Sequence, residues 1–413
     1  VTGAELEQAF IDRWKHAPLL LALSGGGDSV ALLHLLADSR LNFRAVIIDH
    51  ALREGSAEDA HRAQRVALER GVQAEIATLS WSDTEARSQE NARRKRYAAL
   101  SAEARKHGAA ILTGHTADDQ AETVLMRAKA GSGWRGLAGM AADTSAPVWP
   151  EGRGVRLLRP LLHARRTDLR AYLSARSAAW IEDPANTNER FERVRIRAEL
   201  AELERSGLDP MRLVRTAACL RKLVSGVDAE ARALIASAAV FDAGAIRVKR
   251  TAWRARVEVR ERALGVLLAA AAGAESLADA DAIERLEARC FAEDFRGATL
   301  GGAELSVSRG DLVLNRDPGA LLGRAGAAPL AELSLPAEIE TIWDGRLALT
   351  AREQGWRVAI DRHARPILRT AETMLPLAAA IAEGVVSATW LTEAAVLHRL
   401  GGENPPTPSI SVR

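Results

Sequence analysis

Six consecutive residues, Ser24, Gly25, Gly26, Gly27, Asp28 and Ser29, carry the densest chemistry in the chain. They follow an apolar run, Leu19 to Leu23, and precede a helix expected from Val30 to Ala37. Glycines let the backbone turn sharply with its N–H groups facing inward, and the next helix N-terminus adds partial positive charge. The loop is therefore suited to an anion such as pyrophosphate. Ser24 and Ser29 add hydroxyl donors. No Gly-Lys-Ser/Thr closes the loop, so it is not a Walker A sequence, and the glycine spacing is not GxGxxG. Asp28 in an anion site calls for a bridging cation, which points to Mg²⁺. On the loop alone, a tight strand-to-helix turn with Ser/Asp capping remains the plain alternative.

A second constellation runs from Gly114 through His115, Thr116, Asp118, Asp119 and Glu122. Thr116 and Asp119 have capping-box spacing, which puts the acids in the first turn of a helix. Asp118 and Glu122 are four apart and Asp119 and Glu122 three apart, so these carboxylates converge on one small volume. Acids in a first turn also complement the helix dipole, worth about 0.3–1 kcal/mol each. Three acids beside a histidine exceed what a cap needs, and they suit a metal, an ammonium group or both.

Basic residues form two further groups. On a helix expected around Glu90 to Tyr97, Arg93 and Arg96 share a face, while Arg94 and Lys95 read as a solvated face. Arg190, Arg193 and Arg197 form a stripe on a later helix, with Phe191, Val194 and Ala198 expected on its core-facing side. From Arg153 to Arg197 there are eleven Arg against five acids, a local charge of +6. That is a footprint for a phosphate backbone inside a chain whose formal charge is only +2.

These residues need a scaffold, and the chain has the means to build one. At 413 residues it is long enough for about three domains. Its 47% hydrophobic and 27% charged residues exclude disordered, collagen-like and low-complexity classes. Only six of the 56 basic residues are Lys, so the fork-shaped Arg dominates. Cys219 and Cys290 are far apart and fit no disulfide framework, zinc site or iron–sulfur site. No stretch is apolar enough to cross a bilayer. Arg13 and Lys15 before Pro18–Leu23 imitate a signal peptide, but the run is short and leads into the glycine loop, so it reads as a buried strand. A cytoplasmic protein with no membrane partner is expected.

In the first half, strands at 19–23, 45–48, 74–79 and 109–113 alternate with helices starting near Ser29, Ser56 and Thr84 and after Thr116. Such alternation implies a parallel α/β sheet covered on both faces, with ligands at the carboxyl ends of its strands. The loops after Leu23, Ile48 and Thr113 then share one rim. Beyond Pro210 the pattern turns helical over 211–242 and 261–293. A hairpin follows about Gly310-Asp311, then strands at 346–351 and 356–361. Residues 318–329 read as a linker. The expected division is an α/β domain over 1–208 that carries the two constellations, a helical domain over 209–300 and a small mixed α/β domain over 301–413.

The glycine loop matches SGGxDS of the PP-loop, or N-type ATP pyrophosphatase, superfamily. Together with DHALR (49–53), ENARRKRY (90–97), GHTADDQAET (114–123), GSGWRGLAGM (131–140), RPLL (159–162) and WIEDPANTNERFERVRIR (180–197), it resembles the tRNA(Ile)-lysidine synthase family over roughly residues 18–200. The later WDGR (343–346) resembles a C-terminal element of some relatives. Ala51 stands where Gly is usual and Ala185 where Ser is usual.

The resemblance implies a ligase that adenylates C2 of the wobble cytidine of tRNA(Ile) with a CAU anticodon. Free lysine then displaces AMP and leaves lysidine. It implies that Ser24, Gly25, Gly26, Gly27, Asp28 and Ser29 bind ATP and that Asp28 and Asp118 border Mg²⁺. Asp119 and Glu122 would bind lysine, and Asp28, His115, Asp118 and Arg93 would serve catalysis. The domain over 1–208 would be the catalytic one. Arg96, Arg193 and Arg197 would contact tRNA, as would the helical domain over 209–300, and the C-terminal domain would bind tRNA by analogy. The oligomeric state is not fixed by these patterns, a homodimer included. A tRNA thiolase of the same superfamily would carry sulfur through cysteines or a cluster, and the rim motifs contain no Cys. A non-catalytic nucleotide sensor would not need the acidic group beside the phosphate loop.

Overall fold

The computed structural model describes residues 6–82, 85–182, 192–324 and 328–401. The chain divides into two compact units, Val1–Ser225 and Gly226–Arg413.

The first unit is built as strand and helix in turn: α1 (Gln8–Trp14), β1 (Leu19–Ala22), α2 (Gly27–Asp38), β2 (Phe43–Asp49), α3 (Ser56–Glu69), β3 (Ala74–Thr78), α4 (Gln89–Lys106), β4 (Ala110–Leu112) and α5 (Ala117–Lys129). There follow a short α6 (Trp134–Leu137), β5 (Asp143–Ser145), β6 (Arg156–Leu158), α7 (Arg166–Ser174), α8 (Glu192–Arg205) and the long α9 (Pro210–Ala238), which crosses into the second unit. The sheet order is β3-β2-β1-β4-β6-β5. All pairings are parallel except β5 with β6.

Two apolar layers hold this sheet. Leu19, Leu21 and Leu23 face α2 and α7, whereas Leu20, Val46, Ile111 and Leu157 face Tyr97, Leu100 and Ala104 of α4. Alternate strand residues thus serve opposite faces, as the period of two requires. The helix α2 is buried from Ser29 to Leu36, because α7 covers the side the sheet does not. The strand order reverses between β1 and β4, and a crevice opens there at the carboxyl ends of the strands. The glycine loop after β1 and the acidic start of α5 after β4 meet at that crevice.

Several sequence boundaries move. The helix expected from Thr84 begins at Gln89, where the Ser88 side chain caps it by accepting from Asn91 N. The helix expected over 211–242 stops at Ala238, and strands Ala239–Asp242 and Ala245–Val248 follow. The helix expected over 261–293 is two, Val257–Ala272 and Ala280–Cys290, separated by Gly273 in a left-handed C-cap. In the second unit the hairpin Ala303–Ser308/Asp311–Arg316 forms as read, within a five-stranded antiparallel sheet. Smaller antiparallel sheets follow, with Leu347–Ala351 and Arg357–Ile360 among their strands. The stretch read as a linker holds a short helix, Pro318–Leu321, capped by Asp317. Cys219 and Cys290 are both free thiols.

Candidate active site

The crevice assembles from three helix N-termini. At the glycine loop, Ser24 and Ser29 hydroxyls lie 3.1 Å apart, and Ser29 Oγ donates to Gly26 O at 2.9 Å. Gly25 has φ +81°, and a Cβ there would sit 2.7 Å from Ile181 Cδ1. The backbone N–H of Ile181 donates to Gly25 O at 2.9 Å, and Trp180 lies along Gly27. The WIE segment is thus fastened across the loop, a contact between distant stretches that no local pattern announces.

At the second N-terminus, the capping box forms as its spacing predicts. Thr116 N and Oγ1 both donate to Asp119 Oδ2, at 2.9 and 2.8 Å. A Cβ on Gly114 would lie 2.9 Å from the backbone oxygen of Asp28, so this glycine lets the two loops touch.

The third N-terminus, that of α7, supplies the group that sequence reasoning missed. Arg166, the first residue of α7, donates its backbone N–H to Asp118 Oδ2 at 2.7 Å. A helix N-terminal donor is satisfied by a carboxylate from another helix. Its guanidinium then reaches three acids at once: Nε to Asp28 Oδ2 at 3.1 Å, Nη2 to Asp119 Oδ1 at 2.9 Å and Nη1 to Glu122 Oε1 at 3.4 Å. Arg165 adds an ion pair to Asp118 at 3.4 Å. Arg166 counted only as one of eleven arginines in a basic stretch. Its position four residues after RPLL, at a new helix start, was the available signal.

Electrostatics follow from this arrangement. Burial pushes the Asp28 carboxyl up, with Arg166 opposing incompletely. Burial also acts on Asp119, but Arg166 and the Thr116 bonds overcome it and hold the carboxyl below its usual range. Burial, with Arg159, Arg96 and Arg93 nearby, drives the His115 imidazole down to about 3, so the ring is neutral at physiological pH. His115 Nδ1 lies 2.8 Å from Thr113 Oγ1.

Next to His115 the site changes sign. Arg93 and Arg96 place their guanidinium carbons 4.9 and 5.0 Å from the Tyr97 ring centre. The Tyr97 phenol is held below its usual value despite burial, by Arg96, Arg93 and Arg159. Tyr97 Oη, Arg96 Nε and the buried Arg159 Nε have no hydrogen-bond partner. Arg93 itself is exposed. Arg94 pairs with Glu151 and Lys95 with Glu85, as a solvated face would.

The arginines of α8 separate. Arg193 is exposed, whereas Arg197 Nε donates to Glu122 Oε1 at 2.7 Å. The expected core stripe is corrected: Val194 is half-buried and Ala198 exposed, and the buried residues are Ile196 and Leu200. These two lie four apart against Ala121, Leu125 and Met126 of α5, and that packing turns Arg197 toward Glu122. Phe191, Arg190 and Ala185 lie outside the described residues. Ala51, where Gly is usual in the related pattern, has φ +50°, the left-handed backbone glycine favours.

Oxygen donors of this kind suit a hard cation. Asp28 and Asp118 flank Arg166 from opposite loops, and Glu122 Oε2 is buried with no partner although the residue is only 2% exposed. Mg²⁺ usually takes one or two carboxylates and completes its shell with phosphate and water, which this donor set beside a phosphate loop fits. The one group of three metal-capable side chains among the described residues, Glu75, Glu103 and His107, is elsewhere, and Arg44 already lies 3.4 Å from Glu75 Oε1 and 3.1 Å from His107 Nε2.

Residues 2–204 match the family model described as a PP-loop domain. The chain is 42% identical over 319 residues to a tRNA(Ile)-lysidine synthase from Hyphomonas neptunium, covering 76% of this chain and 85% of that one. It is 35% identical to the synthase of Caulobacter vibrioides, with 83% and 76% covered, and 37% to that of Mesorhizobium japonicum, with 82% and 74% covered. Among solved structures, a U34-tRNA thiolase from Methanococcus maripaludis aligns at TM-score 0.43 and 16% identity, over 51% of this chain and 74% of that one.

Proposed function

The chain belongs to the tRNA(Ile)-lysidine synthase family, ATP-dependent ligases that modify tRNA, and from that premise we propose how its own residues divide the work. The reaction is the joining of free lysine to C2 of the wobble cytidine in tRNA(Ile) with a CAU anticodon. The C2 oxygen attacks the α-phosphorus of ATP and pyrophosphate leaves. The lysine side-chain nitrogen then bonds to C2, the C2–O bond breaks, and AMP leaves as the nitrogen sheds its protons.

The glycine loop from Ser24 to Ser29 holds the pyrophosphate end of ATP through its N–H groups and two hydroxyls. Asp28 and Asp118 would hold Mg²⁺, which would supply charge neutralisation at the phosphates. Asp119 and Glu122 take the lysine ammonium. What carries this assignment is that both acids are buried, at 7% and 2% exposed, and already bind a cationic side chain, Arg166. A charge-assisted hydrogen bond of this kind contributes about 1.5–3 kcal/mol.

His115 borders the reacting centre as a neutral ring, able to donate or accept one hydrogen bond but not to carry charge. Arg93 and Arg96, both over the Tyr97 ring, suit phosphate groups of the nucleotide or the tRNA. Arg193, exposed on α8, suits the tRNA backbone. No helix among the described residues is long and apolar enough to cross a membrane, and a cytoplasmic location fits a tRNA substrate.

Incubation with ATP, lysine and tRNA(Ile), followed by mass spectrometry of the anticodon nucleosides, tests the reading. Lysidine is the expected product. Unmodified cytidine alongside pyrophosphate release that needs no tRNA would instead mark a small-molecule ligase.

A further inference from the structure

Arg166 stands where the reaction needs a substrate cation. Asp119 Oδ2 is committed to Thr116, and Oδ1 to Arg166 Nη2. Glu122 Oε1 is shared between Arg166 and Arg197. Of the four oxygens on these two acids, only Glu122 Oε2 is left buried and unpartnered. A lysine ammonium has three N–H donors and no acceptor, so a single free oxygen cannot satisfy it away from water. Asp119 Oδ1 is the next oxygen available, and Arg166 covers it.

We propose that Arg166 is a resident counter-cation of the lysine site, whose guanidinium competes with the substrate ammonium for Asp119 and Glu122, so that lysine binds as Arg166 lets go of them. The proposal rests on the lysine assignment above. It explains how two buried acids keep a cationic partner while the substrate is absent. It also gives Arg166 somewhere to go. Its Nε is 3.1 Å from Asp28, inside the glycine loop, so phosphate bound at that loop offers the guanidinium a second set of oxygens. Nucleotide binding then favours lysine binding, and the coupling is reciprocal. Arg166 sets a threshold for cation entry: an ammonium must outcompete a guanidinium that is already oriented.

The test measures equilibrium binding of radiolabelled L-lysine to the full chain without ATP or tRNA. Arg166→Gln keeps hydrogen-bonding capacity and removes the charge, and it should tighten lysine binding at least tenfold. Equal or weaker binding in a variant with a native melting profile overturns the proposal, because a merely structural arginine would loosen the site when lost. Should Arg166→Gln not fold, Arg166→Lys decides. It retains the charge, but its compact ammonium cannot span Asp28, Asp119 and Glu122 together. A threefold gain supports competition and no gain overturns it. Glu122→Gln separates the two readings: if it leaves lysine affinity unchanged in the tightest-binding background, the lysine assignment itself fails. If Glu122→Gln weakens binding while Arg166→Gln fails to strengthen it, only the competition is wrong.

Discussion

Arg197 Nε donates to Glu122 Oε1 at 2.7 Å, so a guanidinium one-third exposed covers a carboxylate that is only 2% exposed. Arg197→Ala leaves that carboxylate with Arg166 alone, at 3.4 Å, and a buried charge that has lost its better partner destabilises the fold. Urea unfolding should show a loss of about 1.5–3 kcal/mol, the worth of a hydrogen bond between charged groups. A loss within about 0.5 kcal/mol, the range of an ordinary surface substitution, would mean that water replaces the arginine without penalty.

Arg193 lies four residues earlier on the same helix and is exposed. Arg193→Ala should leave unfolding unchanged and weaken tRNA binding, lowering the slope of log affinity against log salt by about one for the phosphate contact removed. An unchanged slope would leave Arg193 facing solvent in the complex. The pair of variants therefore separates two arginines that the sequence places on one stripe.

Asp119→Asn keeps an oxygen that can accept from Thr116 but removes the charge facing Arg166. Lysine-dependent turnover should require at least about tenfold more lysine, a change of roughly 1.4 kcal/mol. Pyrophosphate release driven by tRNA adenylation should persist. Loss of both half-reactions together would move Asp119 from the lysine site to the nucleotide site.

How much of this was legible beforehand depended on range. The glycine loop, the capping box of Thr116 and Asp119 and the parallel alternation are local patterns, each set by neighbours within four residues. The sheet then brings strand ends together by a general rule, so the juxtaposition of Asp28 with Asp119 followed from topology. What failed was anything decided by one specific tertiary contact. The inward face of α8 is set by Ile196 and Leu200 against α5, and a stripe of Val194 and Ala198 is equally periodic on paper. Arg166 is chemically indistinguishable in sequence from Arg165, yet one helix position turns it onto three carboxylates. The later helices end early because Gly273 supplies a left-handed cap and because Ala239–Asp242 pairs with Ala245–Val248 across a two-residue turn.

The neutral His115 gives a pH signature. Its pKa is about 3 in the folded chain and near the ordinary 6.5 when unfolded. Between those values the unfolded chain binds the extra proton, so stability is complete above about pH 6.5 and falls as pH drops toward 3. His115→Gln removes this contribution. The variant should lose less stability than the parent between pH 7.5 and 4.5, by an amount on the order of 1–3 kcal/mol in urea unfolding at the two pH values. Parallel losses in the two proteins would show that the ring is already solvated and able to protonate in place.

Gly114 lies directly against the start of α2. A Cβ at this position would lie 2.9 Å from Asp28 O and 3.0 Å from Ser29 N. Both are backbone atoms at the start of α2, which is buried from Ser29 to Leu36 and has no space to retreat. Gly114→Ala must therefore move the β4–α5 loop outward, at about 1–3 kcal/mol for overpacking. The movement carries the acids of α5 away from Asp28. ATP affinity should fall at least about tenfold, since displacements far smaller than a side chain degrade preorganised sites. Gly133→Ala is the matched control. Its φ is −65°, and nothing lies within 4 Å of where its Cβ would be, so ATP affinity there should match the parent. Equal ATP affinity in all three proteins would show that the contact between Gly114 and the glycine loop is incidental to nucleotide binding.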